Sequence, residues 1–420
     1  MNETNIFKTK QGLTVIHNQT SEKDVFAVSV MCTVGSLHEN DSEIGVAHLL
    51  EHVVMDETKK YPGKGDVHLA IENSGGRMNA RTSMYYIEFK ALVIKENVEI
   101  AFDALSQVFI DPLLTEERTA KEKQIVIQEI RQSKNNFGRC AYEMSLESTF
   151  LNNRHGLPNM GTEESVAGLT SKILSKFHKK HFNKSNTVIS VSGDILKENL
   201  LTLVDKYFGL MPEGEASKIQ EPIINKDKEI LVENKNNLTQ AHINILFPIR
   251  DSFEKKNYFA NWFVRLILSE GKQSKLFKSI RTDRGFAYTI SSYLMRSASV
   301  GNFHIYTAVD ELKANEAIGA ILDEINLLKT SGITDQELER AKNLAISQII
   351  FSSENAYNRV SNNAITFLFR KETQISDKKD IEFIKSLTKE DINTAIKNIF
   401  TDDYKLSVLS KSISKEDIEF

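Results

Sequence analysis

Two histidines four residues apart, with a glutamate between them, sit inside an apolar run: His48-Leu49-Leu50-Glu51-His52 within residues 44–55. On a helix, side chains four apart point nearly the same way, so both imidazoles share a face and Glu51 adjoins it. These three are the only polar side chains in the run, and burying them without partners costs several kcal/mol. A metal ion gives all three a common partner, and neutral imidazole nitrogen suits zinc. Ring nitrogens tied to backbone groups are the usual fate of a lone core histidine; a triplet on one helix face fits that reading poorly.

A catalytic zinc site takes three protein ligands and keeps one position open. Further along, the segment KEKQIVIQE carries Glu122 and Glu129, seven residues and two helical turns apart, hence on one side of a helix. Taken alone, both fit solvated surface glutamates equally well, and the spacing does not decide between the readings.

The elements that must position these groups alternate between strand and helix. Strands are expected at residues 12–17 and 25–34, the second rich in β-branched residues, and a buried helix at 44–55. Gly75-Gly76 breaks the pattern before a strand at 83–94. Helices follow at 98–110 and 116–133, separated by Asp111-Pro112, which cannot continue a helix. A strand at 187–192 ends at Gly193-Asp194. The polar stretch 214–228 is the linker candidate, dividing an N-terminal domain, 1–213, from a C-terminal one, 229–420. The second half repeats the order, with a strand at 242–247, a helix at 258–268, strands at 287–294 and 300–309, and helices to the end. Strands and helices mixed within each half favour an α+β layered fold over a doubly wound parallel sheet.

A chain of 420 residues exceeds one ordinary core, and its 40% hydrophobic and 26% charged residues are those of a globular protein. A net charge of −4 implies no broad basic surface, so no nucleic-acid partner is expected. The two cysteines, Cys32 and Cys140, argue against a disulfide scaffold and a thiolate metal site. No apolar run is long enough to suggest a membrane span, and the first residues lack a secretory pattern. A cytoplasmic protein is the expectation.

HLLEH resembles the H-x-x-E-H signature of the pitrilysin/insulinase family of zinc peptidases, the inverzincins. GSLHENDSEIGVAHLLEH, GGRMNARTSMYYIEFKAL, DPLLTEERTAKEKQIVIQEI and GTEESVAGLTSKILSKFH look like family blocks. The resemblance implies that Glu129, with 76 residues between it and His52, is the third ligand beside His48 and His52 for one Zn2+ per chain. It implies that Glu51 activates the attacking water and that Glu122 orients the ligands. SKLFKSIRTDRGFAYTISSY resembles the family block that carries a substrate-binding arginine and a tyrosine, here Arg281 and Tyr288. By the same analogy Asn79 and Ala80 border an edge strand to which a peptide adds. VVMDETKKYP departs from the family by lacking a Gly-Thr pair. Two homologous α+β domains per chain are implied, forming half of a clam-shaped peptidase. The partner is then a second copy or a related subunit, and the substrate an unstructured peptide. A leader-trimming processing protease, a non-catalytic scaffold subunit and a zinc module without peptidase activity are the other readings.

Overall fold

The computed structural model of the chain describes residues 4–21, 24–151, 154–250, 253–296, 300–372 and 374–418. In chain order come β1 (Thr4–Lys8), β2 (Thr14–Gln19), β3 (Val25–Cys32), α1 (Val46–Asp56), α2 (Asp66–Glu72), β4 (Arg77–Thr82) and β5 (Ile87–Ile94). Next are α3 (Val98–Ile110), α4 (Glu116–Ser133), α5 (Phe137–Thr149), α6 (Glu163–Ala167), α7 (Ser171–His181), β6 (Thr187–Gly193) and α8 (Lys197–Phe208). The later elements are β7 (Glu229–Asn234), β8 (Ala241–Arg250), α9 (Lys255–Ser269), β9 (Ala287–Met295), β10 (Val300–Val309), α10 (Ala314–Ser331) and α11 (Asp335–Ser353). The chain closes with α12 (Ala356–Arg370), β11 (Gln374–Ile375), α13 (Asp377–Ser386), α14 (Lys389–Ile399) and β12 (Lys405–Ser410).

Two compact units emerge. One comprises Met1–Arg131, Pro158–Gln220 and Ile350–Lys378; the other comprises Gln132–Leu157, Glu221–Ile349 and Lys379–Phe420. The break at residue 220 falls inside the expected linker, but a contiguous division places two segments differently. α5 belongs to the second unit, where it packs on β8 and β12, and α12 to the first, where it packs on β6 and β3. Each sheet has a face that needs a helix, and that helix comes from the other half of the sequence.

The first unit's sheet runs β11-β1-β2-β6-β3-β5-β4, the second's β7-β12-β8-β10-β9. Five strands correspond in order: β2-β6-β3-β5-β4 matches β7-β12-β8-β10-β9. In both, one pair is parallel, β2 with β6 and β7 with β12, and the remaining pairs are antiparallel. The frame is therefore built twice, in an α+β fold. The expectation of helices to the end misses β12, whose sequence KLSVLS pairs on both sides and is wholly buried.

In the first unit, β3 (VFAVSVMC) is central, which is why seven of its eight residues are buried. Its apolar face meets α3 through Phe26 and Phe102, whose rings are 6.1 Å apart, while Phe89 of β5 meets Phe109 at 5.6 Å. Asp111 and Pro112 end α3 as expected. In the second unit Phe247, Phe303 and Phe400 form the corresponding aromatic core. Among the described residues, no helix is long and apolar enough to cross a membrane.

Candidate metal centre

α1 carries His48, Glu51 and His52 and buries Val46, Ala47, Leu49, Leu50, Val53, Val54 and Met55 against the core. Its start is fixed by Gly45, at φ 89°, where an added Cβ would lie 2.7 Å from the Met160 carbonyl oxygen; only glycine fits there. The Glu39 carboxylate accepts from the Gly45 and Ala47 N–H groups, each at 3.0 Å, which caps the helix with negative charge. At the other end Arg118, 4% exposed on α4, pairs with Asp56 at 2.7 Å and with Glu57. This buried arginine ties α4 to α1, so that the face of α4 bearing Glu122 and Glu129 meets the two histidines.

The donors converge on a single oxygen. His48 Nε2 lies 3.3 Å and His52 Nε2 3.6 Å from Glu129 Oε2. Ligands at about 2.1 Å in a zinc tetrahedron stand about 3.4 Å apart, which both nitrogen–oxygen separations match, and all three donors lie within 4.8 Å of one another. His48, His52 and Glu129 are the one set of metal-capable donors found so close together among the described residues. The other ring nitrogens also face carboxylates, His52 Nδ1 at 3.4 Å from Glu122 and His48 Nδ1 at 3.6 Å from Glu51. That pattern holds the ring proton on Nδ1 and leaves Nε2 free for a metal.

The electrostatics agree. Burial pulls the His48 pKa down, but hydrogen bonds and charges from Glu129 and Glu51 outweigh it and push it up to about 9. Glu129 is held below the usual carboxylate range, chiefly by its bond with His48. Negative charge is in excess around these rings, and a divalent cation neutralises it as well as a proton does.

Glu51 is fixed from the side by β4, accepting from Thr82 Oγ1 at 2.6 Å. Thr82 had no part in the sequence reading, nor did Arg118 or Glu39. β4 is the outer strand of its sheet and pairs through Asn79↔Lys90 and Ala80↔Phe89. The Ala80 N–H is taken by the Asn79 side chain at 2.9 Å. Asn79 and Ala80 line a pocket with Glu51, His52, Met55, Asp56, Lys64, His68 and Glu122. Met55 and Asp56 come from the stretch that lacks Gly-Thr.

Arg281 and Tyr288 meet each other in the second unit. Arg281 lies on a π-helical segment, Phe277–Asp283, with its guanidinium 4.4 Å from the centre of the Tyr288 ring. Tyr288, 79% exposed, is the second residue of β9, the outer strand of its sheet and the counterpart of β4. The repeat does not extend to the metal: α9 and α11, which correspond to α1 and α4, contain no histidine.

Residues 14–163 match the family model described as Insulinase (Peptidase family M16), and residues 168–345 match Peptidase M16 inactive domain. All five candidate residues of the centre fall in the first match, Arg281 and Tyr288 in the second. The chain is 27% identical to a Bacillus subtilis protein named "Uncharacterized zinc protease YmxG" over 95% of this chain and 96% of that one. Among solved structures it is similar to a protease from Helicobacter pylori, with a TM-score of 0.89, 21% identity and coverage of 97% and 100%. The periplasmic protease PqqL from Escherichia coli matches 99% of this chain over 48% of its own length, with a TM-score of 0.81 and 16% identity.

Proposed function

Because the chain belongs to the insulinase family of peptidases, M16, we propose that it is a zinc-dependent endopeptidase acting on unstructured peptides. The observation that carries this reading is the convergence of two imidazole nitrogens on one Glu129 oxygen, with Glu51 beside them. His48, His52 and Glu129 would hold one zinc ion, which when bound polarises a peptide carbonyl and lowers the pKa of water to about 7. Glu51, steadied by Thr82, takes a proton from the attacking water and later passes it to the leaving amine. Glu122 keeps the His52 proton on Nδ1.

The substrate adds to β4 as an extended strand, its carbonyl replacing Asn79 as acceptor for the Ala80 N–H. Tyr288 donates to the developing oxyanion and Arg281 holds the substrate backbone or a carboxylate. The length of PqqL, about twice what this chain covers, supports a working unit of two chains, a homodimer or a pair with a related subunit. The words "inactive domain" attach to the match over residues 168–345, outside the metal donors, so they lend a non-catalytic reading little support.

Glu51→Gln tests the proposal. The variant keeps every metal ligand, so elemental analysis should find zinc at the wild-type level, while peptide hydrolysis falls by at least about a hundredfold. Wild-type turnover by the zinc-loaded variant would remove Glu51 from the reaction.

A further inference from the structure

The second unit holds a cleft that the peptidase reading does not use. It opens where β8 ends, between α9 and the C-terminal end of α14, with a volume of about 500 Å³, the size of a small-ligand site. Lys226, Arg250 and Lys397 line it, and none of their side chains has an ion-pair or hydrogen-bond partner among the described residues. Among the described residues the lining holds one carboxylate, Asp403, which accepts the Thr401 hydroxyl at 2.5 Å. Among the described residues of the lining, positive charge is in excess by two.

Asn261 separates this place from an ordinary basic surface. It lines the cleft from within α9, is 4% exposed, and its amide has no partner among the described residues. Without a partner among the described residues, the amide is left for water or a ligand in the cleft to complete. The equivalent place in the first unit, where α7 leads into β6 as α14 leads into β12, is closed. There the Ser217 hydroxyl bonds His181 Nδ1 at 2.8 Å and Asn186 Nδ2 at 3.1 Å, and the His38 ring meets His181 edge-on.

We infer that this cleft binds a small phosphate monoester with a sugar or polyol body. Such an ester carries roughly 1.5 to 2 negative charges at neutral pH, which matches the excess on the walls. Arg250 offers a forked pair of donors to phosphate oxygens, and the two lysines act as point charges. The amides of Asn261 and Asn398 each present donors and an acceptor to hydroxyl groups, which a bare inorganic ion does not use. Pro248 and Ile249 give the carbon skeleton an apolar wall.

The test is calorimetric titration of the full chain with glucose 6-phosphate, inorganic phosphate and glucose, at about 150 mM salt to screen loose charge attraction. Saturable binding of the sugar phosphate is expected, at least about tenfold tighter than inorganic phosphate because its hydroxyls engage the amides, with no binding of glucose. Arg250→Gln with Lys397→Gln alters exposed side chains only, should leave the circular dichroism unchanged, and should weaken the sugar phosphate by at least about tenfold. Asn261→Ala should narrow the gap between ester and inorganic phosphate. The inference is overturned by an absence of saturable heat, by equal affinity for ester and phosphate, by unchanged binding in the folded double variant, or by an unchanged gap in Asn261→Ala.

Discussion

A carboxylate 3.4 Å from His52 Nδ1 decides which ring nitrogen carries the proton, and so which one keeps a lone pair for a metal. Glu122→Gln keeps the shape of that partner and removes its charge. We expect zinc affinity to fall by roughly tenfold or more, read by competition with a chelator; an unchanged affinity would make Glu122 mere filling. The histidine triplet was legible because three polar side chains in an apolar helix form a local anomaly. Glu122 and Glu129 were not separable from surface glutamates by spacing, since what distinguishes Glu122 is tertiary burial at 7% exposure. Thr82, Arg118 and Glu39 left no signal at all. Each is an ordinary residue made important by a partner, and the Thr82–Glu51 bond spans 31 positions of sequence.

The sequence predicts a strand at 83–94 with GGRMNAR beside an edge; in the structure Arg77–Thr82 is itself the edge strand β4, and Ser83 to Tyr86 turn the hairpin into β5. The Ala80 N–H is satisfied by the neighbouring Asn79 side chain, and the proposed strand addition makes it the donor offered to a substrate. Ala80→Pro removes it, and we expect kcat/KM for peptides to fall by about five- to tenfold, the worth of one hydrogen bond, with zinc content unchanged. Equal rates would place the substrate elsewhere. Helices such as α3 and α4 were readable end to end because apolar spacing and Asp111-Pro112 mark them locally. β1, β7, β11 and β12 are short and take their identity from partners; β12 pairs in parallel with β7 from 176 positions away, as Ser410 and Asn234 illustrate.

For the whole molecule, the proposed working unit of two chains predicts that activity per chain falls on dilution in step with the dimeric fraction, measured by sizing and peptide assay together. Full activity from a demonstrated monomer would exclude that arrangement. Stability should depend on pH through the buried histidines. Burial holds His38, His155 and His178 down at about 4 and His181 and His304 at about 3. Their unfolded pKa is about 6.5, so as pH falls below that value the unfolded chain takes up protons that the folded chain refuses, and stability is lost progressively toward pH 4 and 3. We expect Tm to drop by roughly 10 °C between pH 7 and 4.5; a flat Tm would mean these rings are protonated in the fold. The pairing of β1 with β11, Thr4 opposite Ile375, and the cover that α12 gives the first sheet have a further consequence, which belongs to synthesis. A ribosome adds about 5–20 residues per second. The strands of the first sheet up to β6 are all outside before α12 is made, so that sheet waits on the order of ten seconds with one face bare and one edge unpaired. During that wait the nascent chain is at its most aggregation-prone, and a chaperone that shields strand edges would matter most to it then.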